Sequence, residues 1–160
     1  MEKFSWLSWK KSDALVVGAI LVGIFGISFY QLQIGGMKAR DAQRKADVEL
    51  VARALNRYFY DYQVFPSASE GKIVACGRQG QEACEWGAGP LVDKDNVIYL
   101  KDLPVDPRSW DSWSYEYVPD EERQNFRIYI GLEYQRDPSY KKDLTVICGN
   151  KVQCRWYVEN

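Results

Sequence analysis

Four cysteines, Cys76, Cys84, Cys148 and Cys154, carry the clearest chemical signal in this 160-residue sequence. They form two close pairs along the chain, and two such pairs are typical of local disulfides outside the cytoplasm. Neither pair has the C-x₂-C spacing of a zinc site. Four cysteines allow three pairings, and the sequence alone does not choose among them. We favour 76–84 and 148–154, because each pair brackets a turn that contains glycine.

Catalytic signals are weak. The chain has no histidine, which removes the commonest general base and the commonest zinc ligand. It has no G-x-S-x-G nucleophile elbow and no P-loop. We therefore predict a protein that is not an enzyme, with no catalytic residues and no resident cofactor.

Calcium is an alternative that the sequence leaves open, because carboxylate oxygens are its preferred ligands. Six aspartates lie in or near the predicted loops, but they do not form the twelve-residue pattern of an EF-hand. We assign no metal ligands among them: Asp93, Asp95, Asp102, Asp106, Asp111 and Asp120.

A run of aromatic residues offers a possible binding surface: Trp110, Trp113, Tyr115 and Tyr117. Such side chains could stack on sugars or nucleobases. Their alternation favours the core of a sheet instead, so only Trp110 and Trp113 remain candidates for surface binding. The net charge of −1 gives no general signal for nucleic acid, and we do not expect a nucleic-acid partner.

Residues 14–30, ALVVGAILVGIFGISFY, carry no charge. As a helix they would span about 26 Å, so we predict a membrane-spanning helix over residues 13–34. Lysines before this segment, Lys3 and Lys10 among them, predict a short cytoplasmic segment over residues 1–12. Residues 35–160 would then lie outside the cytoplasmic membrane, in a single-pass topology. No small-x-small site supports the rival reading as a cleaved signal peptide.

Beyond Gly35 the apolar residues of the predicted helix are confined to one face. Val48, Val51 and Leu55 recur at the spacing of a buried helical stripe, and we expect the helix to end near residue 63, because Pro66 disfavours helical geometry before it. We place five basic residues away from the buried stripe: Arg40, Arg44, Lys45, Arg53 and Arg57. Asp41 and Lys45 would form an ion pair one turn apart.

The rest of the chain reads as a loop over residues 64–95 and antiparallel strands over residues 96–160. Alternating residues on either side of the polar turn PDEERQN predict a hairpin, and residues 145–148 and 154–158 predict a second, short one. A helix followed by such strands is an α+β order. We expect the apolar stripe of the helix to cover a small antiparallel sheet.

Two segments resemble type IV pilins and the pseudopilins of type II secretion systems. The first is KARDAQRKADVELVARALNRYFYDYQVFP, residues 38–66, and the second is YLKDLPVDPRSWDSWSYEYV followed by FRIYIGLE. The resemblance implies a pilin-like filament subunit whose membrane helices bundle at the filament centre. It also implies other pilin-like subunits, membrane lipid and a membrane assembly platform as partners.

The resemblance also implies roles for residues at the start of the membrane helix and within it. Asp13 stands where the family has a carboxylate that pairs with a neighbouring subunit, and it could also cap the helix. The family's cleavage site, a Gly followed by Phe or Met, is missing, because Ser8 and Trp9 occupy that place. Gly18, Gly23 and Gly26 would allow close helix packing between subunits.

The sequence is also compatible with a second class of function, a binding protein. The chain could be a membrane-tethered binding protein that forms no filament. It would hold carbohydrate or DNA through the aromatic strand or through the loop closed by the first cysteine pair.

Overall fold

The structure is a computed structural model that describes residues 11–160. The predicted cytoplasmic segment, with Lys3, Lys10, Ser8 and Trp9, lies outside the described residues except for its last two positions. The chain divides into two compact units at the boundary between Met37 and Lys38.

The first unit contains the beginning of a single helix, α1, which is assigned from Lys11–Tyr62. Every residue from 12 to 33 is exposed, although the segment is almost entirely apolar. This helix is long and apolar enough to cross a membrane. That much of the predicted localisation is confirmed.

The second unit, which we call the head, contains the rest of α1. The predicted stripe is confirmed, because Val48, Val51 and Leu55 are all fully buried. The helix ends as expected: Gln63 adopts a φ of 57°, and its amide donates to the carbonyl oxygen of Phe59 at 2.7 Å. A left-handed residue at this position is a common way to terminate a helix.

Eight short strands complete the head. Their bounds are β1 Ser67–Ser69, β2 Lys72–Cys76, β3 Glu82–Ala83, β4 Leu91–Val92, β5 Ile98–Leu100, β6 Glu116–Pro119, β7 Phe126–Ile130 and β8 Trp156–Glu159. They form three small sheets with the orders β1-β2-β3, β4-β5 and β6-β7-β8, and every pairing is antiparallel. The α+β class is therefore confirmed.

The predicted hairpin is β6–β7, with Tyr117 opposite Ile128. Both residues are fully buried, and they belong to the same hydrophobic core as Val48, Val51 and Leu55. The helix stripe and this sheet thus bury apolar surface against each other, which is the main favourable term in forming the head.

The prediction of a loop over residues 64–95 is wrong, because this segment contains β1 to β4. Its longest strand, β2, has only five residues and places Ile73 and Ala75 in the core. Strands this short, between glycine-containing turns, give too little alternation to stand out from a loop.

The second predicted hairpin is only partly present. Ile147 and Gln153 form an isolated bridge, whereas β8 pairs with β7, so that Val158 lies opposite Ile128. β8 therefore completes the sheet of β6 and β7 rather than a local hairpin.

Both favoured disulfides are present, Cys76–Cys84 and Cys148–Cys154. The second one closes the turn that contains Gly149, whose φ is 81°. A Cβ atom at this position would overlap the carbonyl oxygen of Ser112. Glycine is therefore required where this turn packs on the neighbouring loop.

Truncation at the helix–sheet contact tests the fold. We expect Leu55→Ala to lower the free energy of unfolding by about 2–5 kcal/mol, because it leaves a cavity in the core. Leu50→Ala on the same helix is the matched control: Leu50 is 41% exposed, and its loss should cost about 0.5 kcal/mol or less. Urea unfolding of the full chain in detergent, followed by near-UV circular dichroism, measures both. Equal losses would contradict the described packing.

Candidate functional site

Arg44 is a fully buried charged residue in the head. Its Nε and Nη2 atoms donate to the two carboxylate oxygens of Asp106 at 2.8 and 3.0 Å. Its Nη1 atom donates to Asp41 and to Glu133, both at 2.8 Å. A buried guanidinium needs this degree of pairing, because an unpaired buried charge is strongly unfavourable.

Asp41 connects the helix to the segment that follows β7. It lies one helical turn before Arg44 and is itself buried. Besides Arg44, it accepts hydrogen bonds from the backbone amides of Glu133 at 3.0 Å and Tyr134 at 2.8 Å. One carboxylate therefore neutralises Arg44 and fixes the backbone that carries Glu133.

Asp106 comes from the turn LPVDPR, residues 103–108. Its Oδ1 atom accepts a hydrogen bond from the backbone amide of Arg108 at 2.7 Å. Prolines on both sides of Val105-Asp106 restrict the backbone dihedrals of this turn. The carboxylate is thus held in place before it meets Arg44.

Two further arginines surround this centre. Arg40 donates to both oxygens of Glu133, at 2.7 and 2.6 Å, and Arg108 pairs with Asp111 and with Glu133. The Trp113 ring lies 4.4 Å from the Arg44 guanidinium and 5.1 Å from that of Arg108. We call this group, Arg40, Asp41, Arg44, Asp106, Arg108 and Glu133, the Arg44 cluster.

The cluster favours the charged forms of Arg44 and Glu133. Burial alone would lower the pKa of Arg44, but hydrogen bonds with Asp106 and Glu133 outweigh burial and raise this pKa above its ordinary value. Burial would likewise raise the pKa of Glu133, but hydrogen bonds from Arg40 and Arg44 lower it to about 2. Three arginines face three carboxylates, so the formal charges of the cluster cancel.

This arrangement directs its polar atoms towards the chain itself. Asp41, Asp106 and Glu133 accept from arginines and backbone amides of three segments: α1, the 103–108 turn and the residues after β7. The cluster is therefore suited to holding these segments together.

A second polar centre lies at the end of α1. Asp93 is buried and accepts hydrogen bonds from the backbone amides of Asp95 and Val97, both at 2.8 Å. It also accepts from the hydroxyls of Tyr62 at 2.8 Å and Tyr99 at 3.1 Å. Burial opposes ionisation, yet these hydrogen bonds lower the pKa of Asp93. We call Asp93 with Tyr62 and Tyr99 the Asp93 centre.

The residues predicted to pack between subunits lie on the exposed part of α1. Asp13 is in its first turn. The positions of Gly18, Gly23 and Gly26 have open space around them, with no atom within 4 Å of a Cβ placed there. The structure thus leaves this glycine face uncovered.

The two candidate surface tryptophans differ in their surroundings. Trp110 is 79% exposed, whereas Trp113 is half-buried between Arg44, Arg108 and Gly131. The Arg108 guanidinium lies 5.5 Å from the Trp110 ring and 5.1 Å from the Trp113 ring. Among residues 11–160, no group of three or more His, Cys, Asp or Glu is placed to hold a metal ion.

The sequence-based placement of the stalk charges is wrong for Arg44 and for the partner of Asp41, whereas Arg53 and Arg57 are exposed as expected. Arg44 lies inside the head, and Asp41 pairs with Arg44 instead of Lys45, which pairs with Asp137 at 2.9 Å. A signal was present in the spacing: Arg44 precedes Val48 and Val51 by four and seven residues and so shares their face.

No protein-family model, curated protein or solved structure matches this chain in the comparisons.

Removal of Arg44 tests the cluster. We expect Arg44→Ala to lower the free energy of unfolding by about 3–5 kcal/mol, because buried carboxylates lose their counter-charge. Arg53→Ala, at an exposed position of the same helix, should change it by about 0.5 kcal/mol or less. Urea unfolding of the full chain in detergent measures both, and a similar loss in the two variants would refute the role given to Arg44.

The low pKa of Glu133 predicts an acid-sensitive contribution to stability. The ordinary pKa of this group is 4.5 and its pKa in the head is about 2. The contribution is therefore fully present above the higher value and is lost as pH falls towards the lower one. Between about pH 5 and about pH 2, the urea midpoint of the natural chain should fall more than that of Glu133→Gln. Parallel pH profiles for the two proteins would rule this out.

Proposed function

We propose that this chain is a pilin-like structural subunit, anchored in the cytoplasmic membrane and assembling through its N-terminal helix into a type IV pilus or a type II secretion pseudopilus. The observation that carries the proposal is the exposed apolar part of α1. Every residue from 12 to 33 is exposed in the single chain, and exposed apolar surface of this extent needs lipid or other protein to cover it.

The division of α1 supports the proposal. One helix is apolar on all sides before Gly35 and one-sided after it, so its two parts are suited to lipid and to a protein core. Within the head, the second part of α1 packs against the hydrophobic core through Val48, Val51 and Leu55. This leaves the first part available for a membrane and for packing against other copies.

The glycine face of α1 is the proposed contact between copies. Without a hydrophobic driving force in lipid, membrane helices associate through close packing at small residues. Gly18, Gly23 and Gly26 offer such a surface. In the proposed topology the N-terminus is cytoplasmic and the head is outside the membrane.

Substitution on the glycine face tests the proposal. We expect Gly23→Ile to weaken self-association by about 1–3 kcal/mol, or about five- to a hundredfold in the association constant, because the larger side chain separates the helices. Its side chain would enter open space in the single chain, so the head should stay folded. The readout is photo-crosslinking in membranes from a benzoylphenylalanine that replaces Val22.

Ser28→Ile is the matched control for the part of the glycine face formed by Gly23 and Gly26, because helical geometry places position 28 about 140° from Gly23 and about 160° from Gly26. It should leave the yield of crosslinked dimer unchanged. Equal yields from the natural chain and Gly23→Ile would count against the assembly proposal. Membrane insertion without any crosslinked dimer would favour the tethered binding protein instead.

A further inference from the structure

We propose that the head rests on the phospholipid headgroups of its own membrane through a surface centred on Trp110. This surface consists of Trp110, the disulfide-closed turn with Asn150 and Lys151, and Lys38. The inference rests on the membrane-anchor part of the proposed function and adds a second, peripheral contact with the same bilayer.

Chain connectivity limits how far this surface can lie from the bilayer. The predicted span ends at residue 34, and the head begins at Lys38. Even fully extended, the chain between them covers only about 14 Å. Whatever the orientation of the head, its tethered end at Lys38 stays close to the headgroup layer.

A short series of contacts within the head leads from this tethered end to Trp110. Arg40, two residues after Lys38, binds Glu133 at 2.6 Å. Glu133 also binds Arg108 at 3.4 Å, and the Arg108 guanidinium lies 5.5 Å from the Trp110 ring. Trp110 therefore belongs to the end of the head that the chain ties to the membrane.

The disulfide-closed turn lies beside the Trp110 loop. The backbone amide of Asn150 donates to the carbonyl oxygen of Ser112 at 3.0 Å, and Trp113 and Gly149 form a β-bridge. This packing brings the exposed Lys151 to the same end of the head. The disulfide Cys148–Cys154 holds the turn closed.

The chemistry of this surface matches a headgroup layer. Trp110 is 79% exposed, although large aromatic side chains gain by leaving water, and tryptophan is favoured at membrane–water interfaces. Lys38 and Lys151 are exposed cations that can pair with lipid phosphates. The neighbouring acidic residue Asp111 pairs with Arg108, and the two lysines outnumber it.

Tyr60 provides a matched comparison at the other end of the head. It is an equally exposed aromatic residue, at 81%, but it lies in the last turn of α1. Twenty residues of helix separate it from Arg40, which corresponds to about 30 Å. A headgroup contact at the tethered end should reach Trp110 and should not reach Tyr60.

Photo-crosslinking of the full chain in vesicles of phosphatidylethanolamine and phosphatidylglycerol tests the inference. A benzoylphenylalanine replaces either Trp110 or Tyr60, and mass spectrometry detects phospholipid joined to the protein. We expect lipid adducts from position 110 and none from position 60. Both side chains are largely exposed, so neither replacement should prevent folding.

Carbonate extraction of the same vesicles separates this inference from the proposed function. A chain that carbonate releases has no membrane anchor, and both proposals then fail. A chain that stays in the membrane but gives no lipid adduct from position 110, or equal adducts from both positions, overturns this inference alone. Adducts from position 110 to a second copy in place of lipid would overturn it as well.

The charge of Lys151 gives a second measurement. A single lysine near an anionic bilayer contributes about fivefold in binding. Lys151→Gln should therefore lower the adduct yield from position 110 by up to about fivefold. Lys94→Gln is the control, because the Lys94 Nζ atom lies 5.9 Å from the Tyr62 ring near the opposite end of the head. The same yield from both variants would remove Lys151 from the contact.

Discussion

The buried charge of Arg44 constrains how the whole head is assembled. A guanidinium keeps its proton in a protein, so its site must supply carboxylates wherever the side chain is buried. They come from three places in the chain: Asp41 on α1, Asp106 in the proline-flanked turn, and Glu133 after β7. The turn and the segment after β7 must therefore reach the helix together, because either one alone would leave Arg44 or a carboxylate without its partner.

Along the packed half of α1, apolar contacts and polar contacts occupy different positions and stabilise the head in different ways. Apolar residues in the middle, Val48, Val51 and Leu55, provide non-directional burial against the β6–β7–β8 sheet. The Arg44 cluster and the Asp93 centre lie before and after them on the helix and act through directional hydrogen bonds. Apolar burial tolerates small shifts, whereas bidentate ion pairs and tyrosine–carboxylate bonds do not. The polar centres thus set the register in which the apolar surfaces meet.

The charges of the Arg44 cluster are paired within the head. The features that point to function are therefore exposed surfaces. The exposed apolar part of α1 and the exposed Trp110 both present surface that water does not favour. The proposals assign the first to lipid and to other copies of the chain, and the second to the headgroup layer. Both disulfides hold short turns rather than distant segments, so they stabilise local surface shape.

Local patterns in the sequence determined the parts of this protein that depend on near neighbours. These are the uncharged run, the stripe of Val48, Val51 and Leu55, the end of the helix before Pro66, the β6–β7 hairpin and the two cysteine pairs. The pairing of β8 with β7, the short strands β1 to β4 and the distant partners of Arg44 were decided only by the tertiary structure. Asp106 and Glu133 lie 62 and 89 residues beyond Arg44 in the chain. The helical spacing places Arg44 on the same face as Val48 and Val51, and its charge is tolerated there because the folded chain brings distant carboxylates to it.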